Sequence, residues 1–305
     1  MPTKNNLLLL PVFSCLLAST LWGLMWYPLR ILEQLGVPGL WATLIIYLAA
    51  LIIILPRLWR QHSRVMQQPL MLVMIGIFAG WTNLAFILAV LEGHIVRVLL
   101  LFYLSPVWAV LLGWLVLREH LSFFAWCIVF LAMAGAGIML WHPDAGTLLP
   151  QVSADYLAIS SGFAFAVTNV FIRKSGHIPI ILKMGSTFLG VMVLSIVGIF
   201  FIEVSIPNIS FQSVFIMIAV GCFGMIIMTF SAQYGVTHLP LYRSAVIFLF
   251  EVVVGAISAE ILTEEVTTFK EWAGGILVMF SALLIALESI NPDKTYTPES
   301  NNKTT

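Results

Sequence analysis

Glu251 stands inside the apolar run IFLFEVVVGAIS, where an ionisable side chain is out of place. A charged group at the centre of a membrane helix costs about 2.5 to 3.5 kcal/mol on insertion scales, so a carboxyl retained there is a candidate for chemistry. It can bind a cationic group or carry a proton, or it can serve only as a hydrogen-bonded strut between helices. Gly255, Ser258 and Ala259 follow at helical spacings of four, seven and eight and share its face. Small residues along one face mark close helix packing, which predicts that Glu251 looks into a bundle and not at lipid. Glu260 lies one turn from the end of the run and reads as interfacial.

Pro106 sits at mid-span of another apolar run, where a proline frees a backbone carbonyl and kinks the helix. The freed carbonyl can line a cavity, or the kink can be a packing device alone. Asn83, Tyr103, Asn169 and Gln233 are polar tips within otherwise apolar stretches, each a candidate contact for a small ligand. Asn83 shares a face with Gly76 and Gly80, whose GxxxG spacing more often marks packing than recognition. Trp22 and Trp26 could stack on an aromatic, cationic or apolar ligand, and Trp22 is the deeper of the two. Trp41, Trp59, Trp141 and Trp272 read as anchors at the membrane surface.

Other chemistries lack their motifs. There is no GxxxxGK[ST] phosphate loop, and no HExxH, GxSxG or DDxxD-like cluster. His62, His94, His120, His142, His177 and His238 fall at or near loops, so an intramembrane enzyme is a weak reading. Cys15, Cys127 and Cys222 lie in apolar stretches without CxxC spacing, which supports neither a disulfide framework nor a metal site. No cofactor is expected. Lys plus Arg (14) balances Asp plus Glu (14), and no basic stripe interleaved with aromatics is present, so nucleic acid is not an expected partner.

The elements that must position these residues follow from composition. With 61% hydrophobic and 9% charged residues, the chain lies far outside the soluble range. A bilayer core about 30 Å thick needs roughly 20 apolar residues in helix. Ten such runs emerge, at residues 7–30, 38–56, 69–91, 94–117, 123–141, 153–173, 179–202, 211–235, 242–262 and 270–288. The first follows a single basic residue, Lys4, and exceeds the apolar region of a cleaved signal, so it reads as a retained helix. With both termini inside, cytoplasmic segments hold Lys4, Arg57, Arg60, Arg64, Arg118, Arg173, Lys174, Lys183, Arg243, Lys294 and Lys303. The other side holds Arg30, Arg97 and Lys270, a partition that the retention of Lys and Arg in cytoplasmic loops predicts for an even helix count.

Five helices per half makes the second half enter the membrane in the opposite sense, an inverted repeat if the halves are related. A shift of 145 residues lays 104–122 without gaps on 249–267 and matches Glu119 with Glu264. Pro106 falls on Glu251 in this register, Gly76 on Gly221 and Phe78 on Phe223. From 76 to 124 only seven of 49 positions are identical, so position, helix order and the terminal Glu carry the argument.

In these residues the chain resembles the EamA-type branch of the drug/metabolite transporter superfamily, over about residues 10–288. The family's "Pro, apolar run, Gly, apolar run, Glu" is met by Pro106, Gly113 and Glu119, and its "apolar, Leu-Trp-Gly" opening by Leu21, Trp22 and Gly23. The second half departs from it, with Glu251 for the usual Pro and Ser258 for the usual Gly. The resemblance implies an all-α integral membrane protein with ten transmembrane helices as two inverted five-helix repeats. The repeats are expected at 7–141 and 153–288, followed by a disordered cytoplasmic tail at 289–305. It further implies a secondary transporter, an exporter of amino acids, their derivatives or other small metabolites by alternating access, in the cell inner membrane. Expected partners are a small-molecule substrate, a coupling proton and the lipid bilayer, with a homodimer as an open assembly. A membrane-embedded scaffold or receptor subunit is the alternative class.

Overall fold

The computed structural model describes residues 4–61, 64, 68–141, 150–263 and 268–290. The tail from 291 onward, most of the 142–152 loop, and Glu264, Val266 and Thr267 of the expected second motif lie outside the described residues. Among the described residues ten helices are long and apolar enough to cross a membrane: α1 (Leu9–Gln34), α2 (Gly39–Trp59), α3 (Pro69–Glu92), α4 (Arg97–Leu117), α5 (Phe123–Leu140), α6 (Ser153–Lys174), α7 (Ile180–Phe201), α8 (Phe211–His238), α9 (Leu241–Leu262) and α10 (Phe269–Glu288). Hydrocarbon offers no partner for backbone amides and carbonyls, so apolar runs of this length fold as helices. Several expected ends fall short, among them 56 against Trp59 and 235 against His238. α1 continues to Gln34 because its last turns keep Leu32 fully buried while Arg30 and Glu33 face outward, and that polar outer face is what ended the apolar run in sequence. The last helix reaches Ile290, so residues 289 and 290, expected in the tail, are helical.

Two helices break at the same repeat position. In α4 the Leu104 amide bonds the Leu101 carbonyl (3.3 Å) and the Val107 amide bonds Leu104 (2.9 Å), a tight three-residue step between the segments Ile95–Phe102 and Ser105–Leu117. In α9 the Leu249 amide bonds Val246 (3.2 Å) and the Val252 amide bonds Leu249 (3.1 Å). Adding 145 to each residue of the first set gives the second. Pro106 therefore does not kink a helix interior, as expected from sequence. It lies in the first turn after the break, where a missing N–H leaves no bond unmade. The carbonyl four residues before it, that of Phe102, packs on Gly162 of α6, where a Cβ would lie 2.5 Å from it.

The five-helix halves interleave. α3 packs on α6 and α7, and its counterpart α8 packs on α1 and α2; likewise α4 packs on α6 and α9 on α1. These contacts pair through the repeat, and the two bodies so formed each draw helices from both halves. Small residues make the close crossings. Gly76 and Gly80 of α3 face Gly190 of α7, which bears out the packing reading of GxxxG, and Gly221 of α8 faces the backbone of α2 at Ile46. Around Gly221 the helix widens into a π turn, Val220–Met225, that α3 lacks.

Candidate functional site

The two breaks meet at the centre of the bundle. α4 and α9 pack on each other, and the hydroxyl of Tyr103, at the first break, donates to the carboxylate of Glu251, just after the second. Glu251 lies in the first turn of the segment Phe250–Leu262, where the exposed amides and the helix dipole favour negative charge. Its own carbonyl and Val254 crowd Gly23 of α1, where a Cβ would lie 2.6 Å from that carbonyl, so the family's Trp-Gly pair brings α1 against the break. Trp22 beside it stands edge-on to Phe165 of α6 (5.9 Å) and Phe248 of α9 (5.0 Å). Phe165 also approaches Phe248 (6.0 Å) and Phe102 (5.9 Å). The arrangement is a half-buried acid and phenol walled by aromatic faces and edges from four helices.

Among the described residues Glu251 makes no ion pair. The cations of α4 and α9 are engaged elsewhere: Arg97 grips Asp155 through two bonds (2.6 and 2.8 Å), and Arg243 pairs with Glu288 (3.3 Å). An ionised carboxylate here has the first-turn amides and a neutral hydroxyl beside it and, among the described residues, no protein cation, which leaves a place for a ligand's positive charge.

Other expected site residues divide. Asn169 is buried on α6, one turn beyond Phe165 and one turn before Arg173, so it shares the face of the aromatic cluster. Gln233 is tied to Thr187 of α7 (3.0 Å), with its Oε1 buried and without a hydrogen-bond partner. Asn83 donates to the Ala79 carbonyl (3.2 Å) and lies beside the Tyr47 hydroxyl, between α3 and α2. Neither makes a hydrogen bond to the Tyr103–Glu251 pair, so the sequence grouped residues that the fold separates. Trp26 is a packing residue whose indole donates to Ser258 (2.9 Å). Trp41, expected as a surface anchor, is half-buried and packs between two core clusters because α2 turns this face inward.

Phe102, Phe165 and Phe248 escaped the sequence reading, since a phenylalanine in an apolar helix looks like any core residue. One signal was available: Phe248 is the repeat mate of Tyr103.

The motif Gly113 and Glu119 also gains a reason. Arg118 adopts a left-handed conformation (φ 56°), and the Glu119 amide bonds back to the Gly113 carbonyl (3.1 Å), which ends the helix and turns Glu119 across it. The carboxylate lies over Gly113, where a Cβ would stand in ordinary contact with Oε2 at 3.4 Å.

Ten membrane-length helices in two related halves define a multi-pass membrane protein. The chain belongs to the EamA-like transporter family, which matches residues 9–141 and 152–287. It is 29% identical over 154 residues to an uncharacterized transporter of Pseudomonas aeruginosa, covering 48% of this chain and 50% of that protein. It is 29% identical over 121 residues to Protein RarD of Salmonella typhi, covering 39% of this chain and 38% of that one. The matched region thus spans half or less of these curated relatives. A solved crystal structure superposes with a TM-score of 0.78 over 93% of this chain and 98% of the other, and at 16% identity this shows a shared fold.

Proposed function

We propose that this chain is a secondary transporter that exports a small organic metabolite bearing a cationic group, an amino acid derivative or amine, through the centre of the bundle by alternating access. The observation that carries this reading is the Tyr103–Glu251 hydrogen bond, which joins the α4 and α9 breaks inside an aromatic enclosure and, among the described residues, without an ion pair. A carboxylate with aromatic faces beside it suits an ammonium group, through charge and cation–π attraction, and the same carboxyl can return a proton when the substrate has left. The repeats would run over 7–141 and 153–288. The protein would sit in the inner (cytoplasmic) membrane with both termini on the cytoplasmic side, as its basic residues suggest.

The test compares metabolites inside and outside cells that carry wild-type protein, Glu251→Gln or none. Glutamine keeps the size and hydrogen-bonding shape and removes the charge. We expect the wild type to move a cationic metabolite outward and Glu251→Gln to insert normally yet lose most of that movement. Equal movement by both proteins refutes the site assignment. For orientation, single cysteines at Gln61 and Gly146 should be labelled from opposite sides by an impermeant thiol reagent; labelling of both from one side refutes it.

A further inference from the structure

By sequence Lys183 belongs with the basic residues that orient the chain, yet it is fully buried one turn inside α7. Its ammonium donates to the Thr237 hydroxyl (2.7 Å) and the Ile172 carbonyl (3.3 Å). Thr237 lies in the last turn of α8, and Leu241 opens α9 four residues later. Two more side chains converge on this corner. Arg173 at the end of α6 donates to the Thr237 carbonyl (2.6 Å), and Glu119 at the end of α4 accepts from the Leu241 amide (2.7 Å). Arg173 and Glu119 also pair with each other (3.3 Å). The three gripping residues come from α4, α6 and α7, which belong to one of the interleaved bodies; the corner they grip belongs to the other.

The opposite end is joined differently. There Arg97 of α4 and Asp155 of α6 bind each other within a single body, and Asp155 also accepts from the Gln151 (2.7 Å) and Val152 (3.2 Å) amides. Asp155 is 1% exposed, against 16% and 29% for the side chains of Glu119 and Arg173. Arg97–Asp155 is therefore a bolt that keeps α4 on α6, whereas the grip on the α8–α9 corner spans two bodies, and two of its three side chains, Glu119 and Arg173, are partly solvated and can exchange their partners for water. Thr237 focuses it, for its hydroxyl takes the Lys183 bond while donating to the Gln233 carbonyl (2.6 Å).

We propose that Glu119, Arg173 and Lys183, closed on Thr237 and Leu241, form the gate of the central site at this end, and that Lys183 is its positioning residue. The proposal rests on the transport reading, but its first test needs no substrate. In protein whose Cys15, Cys127 and Cys222 are replaced by serine, a cysteine at Asn169, between Arg173 and the aromatic cluster, is labelled in membranes by a thiol reagent applied from the Glu119 side. Loss of a charged hydrogen bond across a closed interface should raise the open population, so Glu119→Gln and Lys183→Met are expected to speed labelling about tenfold. Arg97→Gln should not speed it from that side. Unchanged labelling in Glu119→Gln, or an equal rise in Arg97→Gln, overturns the gate.

The second test leaves the charge network out of the comparison. Cysteines at Glu119 and Leu241 are joined by a bifunctional methanethiosulfonate, which should reduce labelling of the Asn169 cysteine to background and abolish metabolite movement, both recovered on reduction. Unaltered labelling after cross-linking overturns the proposal. Loss of labelling in a protein whose wild type moves no metabolite would leave the gate standing and remove only the transport reading.

Discussion

The breaks in α4 and α9 have the same backbone and opposite chemistry. Each is a three-residue step at a leucine, Leu104 or Leu249, in repeat register. The first is followed by Pro106, which cannot supply the next helical donor; the second by Glu251, which can. The break thus belongs to the fold and does not require proline. Once the fold supplies it, the position after it is free to take a residue for its chemistry, and the second half has placed there the acid that meets Tyr103.

The sharpest way to break this comparison is to make the second half like the first. Glu251→Pro should insert and keep the α9 break, because Pro106 occupies the equivalent turn, but metabolite movement should fall by about a hundredfold or more, as for loss of a buried charged contact. Retained movement would mean the acid is a strut. Tyr103→Phe removes the hydroxyl and keeps the ring. A hydrogen bond to a charged group contributes roughly 1.5 to 3 kcal/mol, so movement should fall about tenfold to a hundredfold, with apparent substrate affinity as the readout. An unchanged affinity would detach the first break from the site.

Trp22→Leu keeps an apolar side chain and removes the indole that packs on Phe165 and Phe248. Affinity for a cationic substrate should weaken about threefold to fivefold, in line with cation–π contributions of roughly 0.5 to 1 kcal/mol, and that for an uncharged one should hold. The smallest effect is expected for Pro106→Ala. If tertiary packing sets the break, thermal unfolding in detergent should shift by only about 1 kcal/mol equivalent and metabolite movement should persist. A large loss of either would show that the first break depends on its proline after all.

Much of the architecture was legible in the residues. Periodic apolar runs of membrane length gave ten helices with starts and ends mostly within a few residues, because in hydrocarbon a run of that length has few other ways to satisfy its backbone. The register of 145 was legible from Glu119 against Glu264 and Pro106 against Glu251, and the bonds at Leu104 and Leu249 repeat it. The inward face of Gly255 and Ser258 was legible too, and the structure sets Ser258 against Trp26 and the Gly23 carbonyl.

What the sequence determined by itself is the helix count, the repeat and the presence of an acid in an apolar helix, since each depends on short-range composition and periodicity. Only the tertiary structure decided which polar residues meet. Tyr103 reaches Glu251 across 148 positions, Gln233 turns to Thr187, and Lys183 leaves the loop class to hold Thr237. The physical reason is that a lone hydroxyl, amide or ammonium carries no directional signal along the chain. Its partner is set by how helices from the two halves interleave, and that is fixed by glycine contacts and side-chain packing between residues distant in sequence.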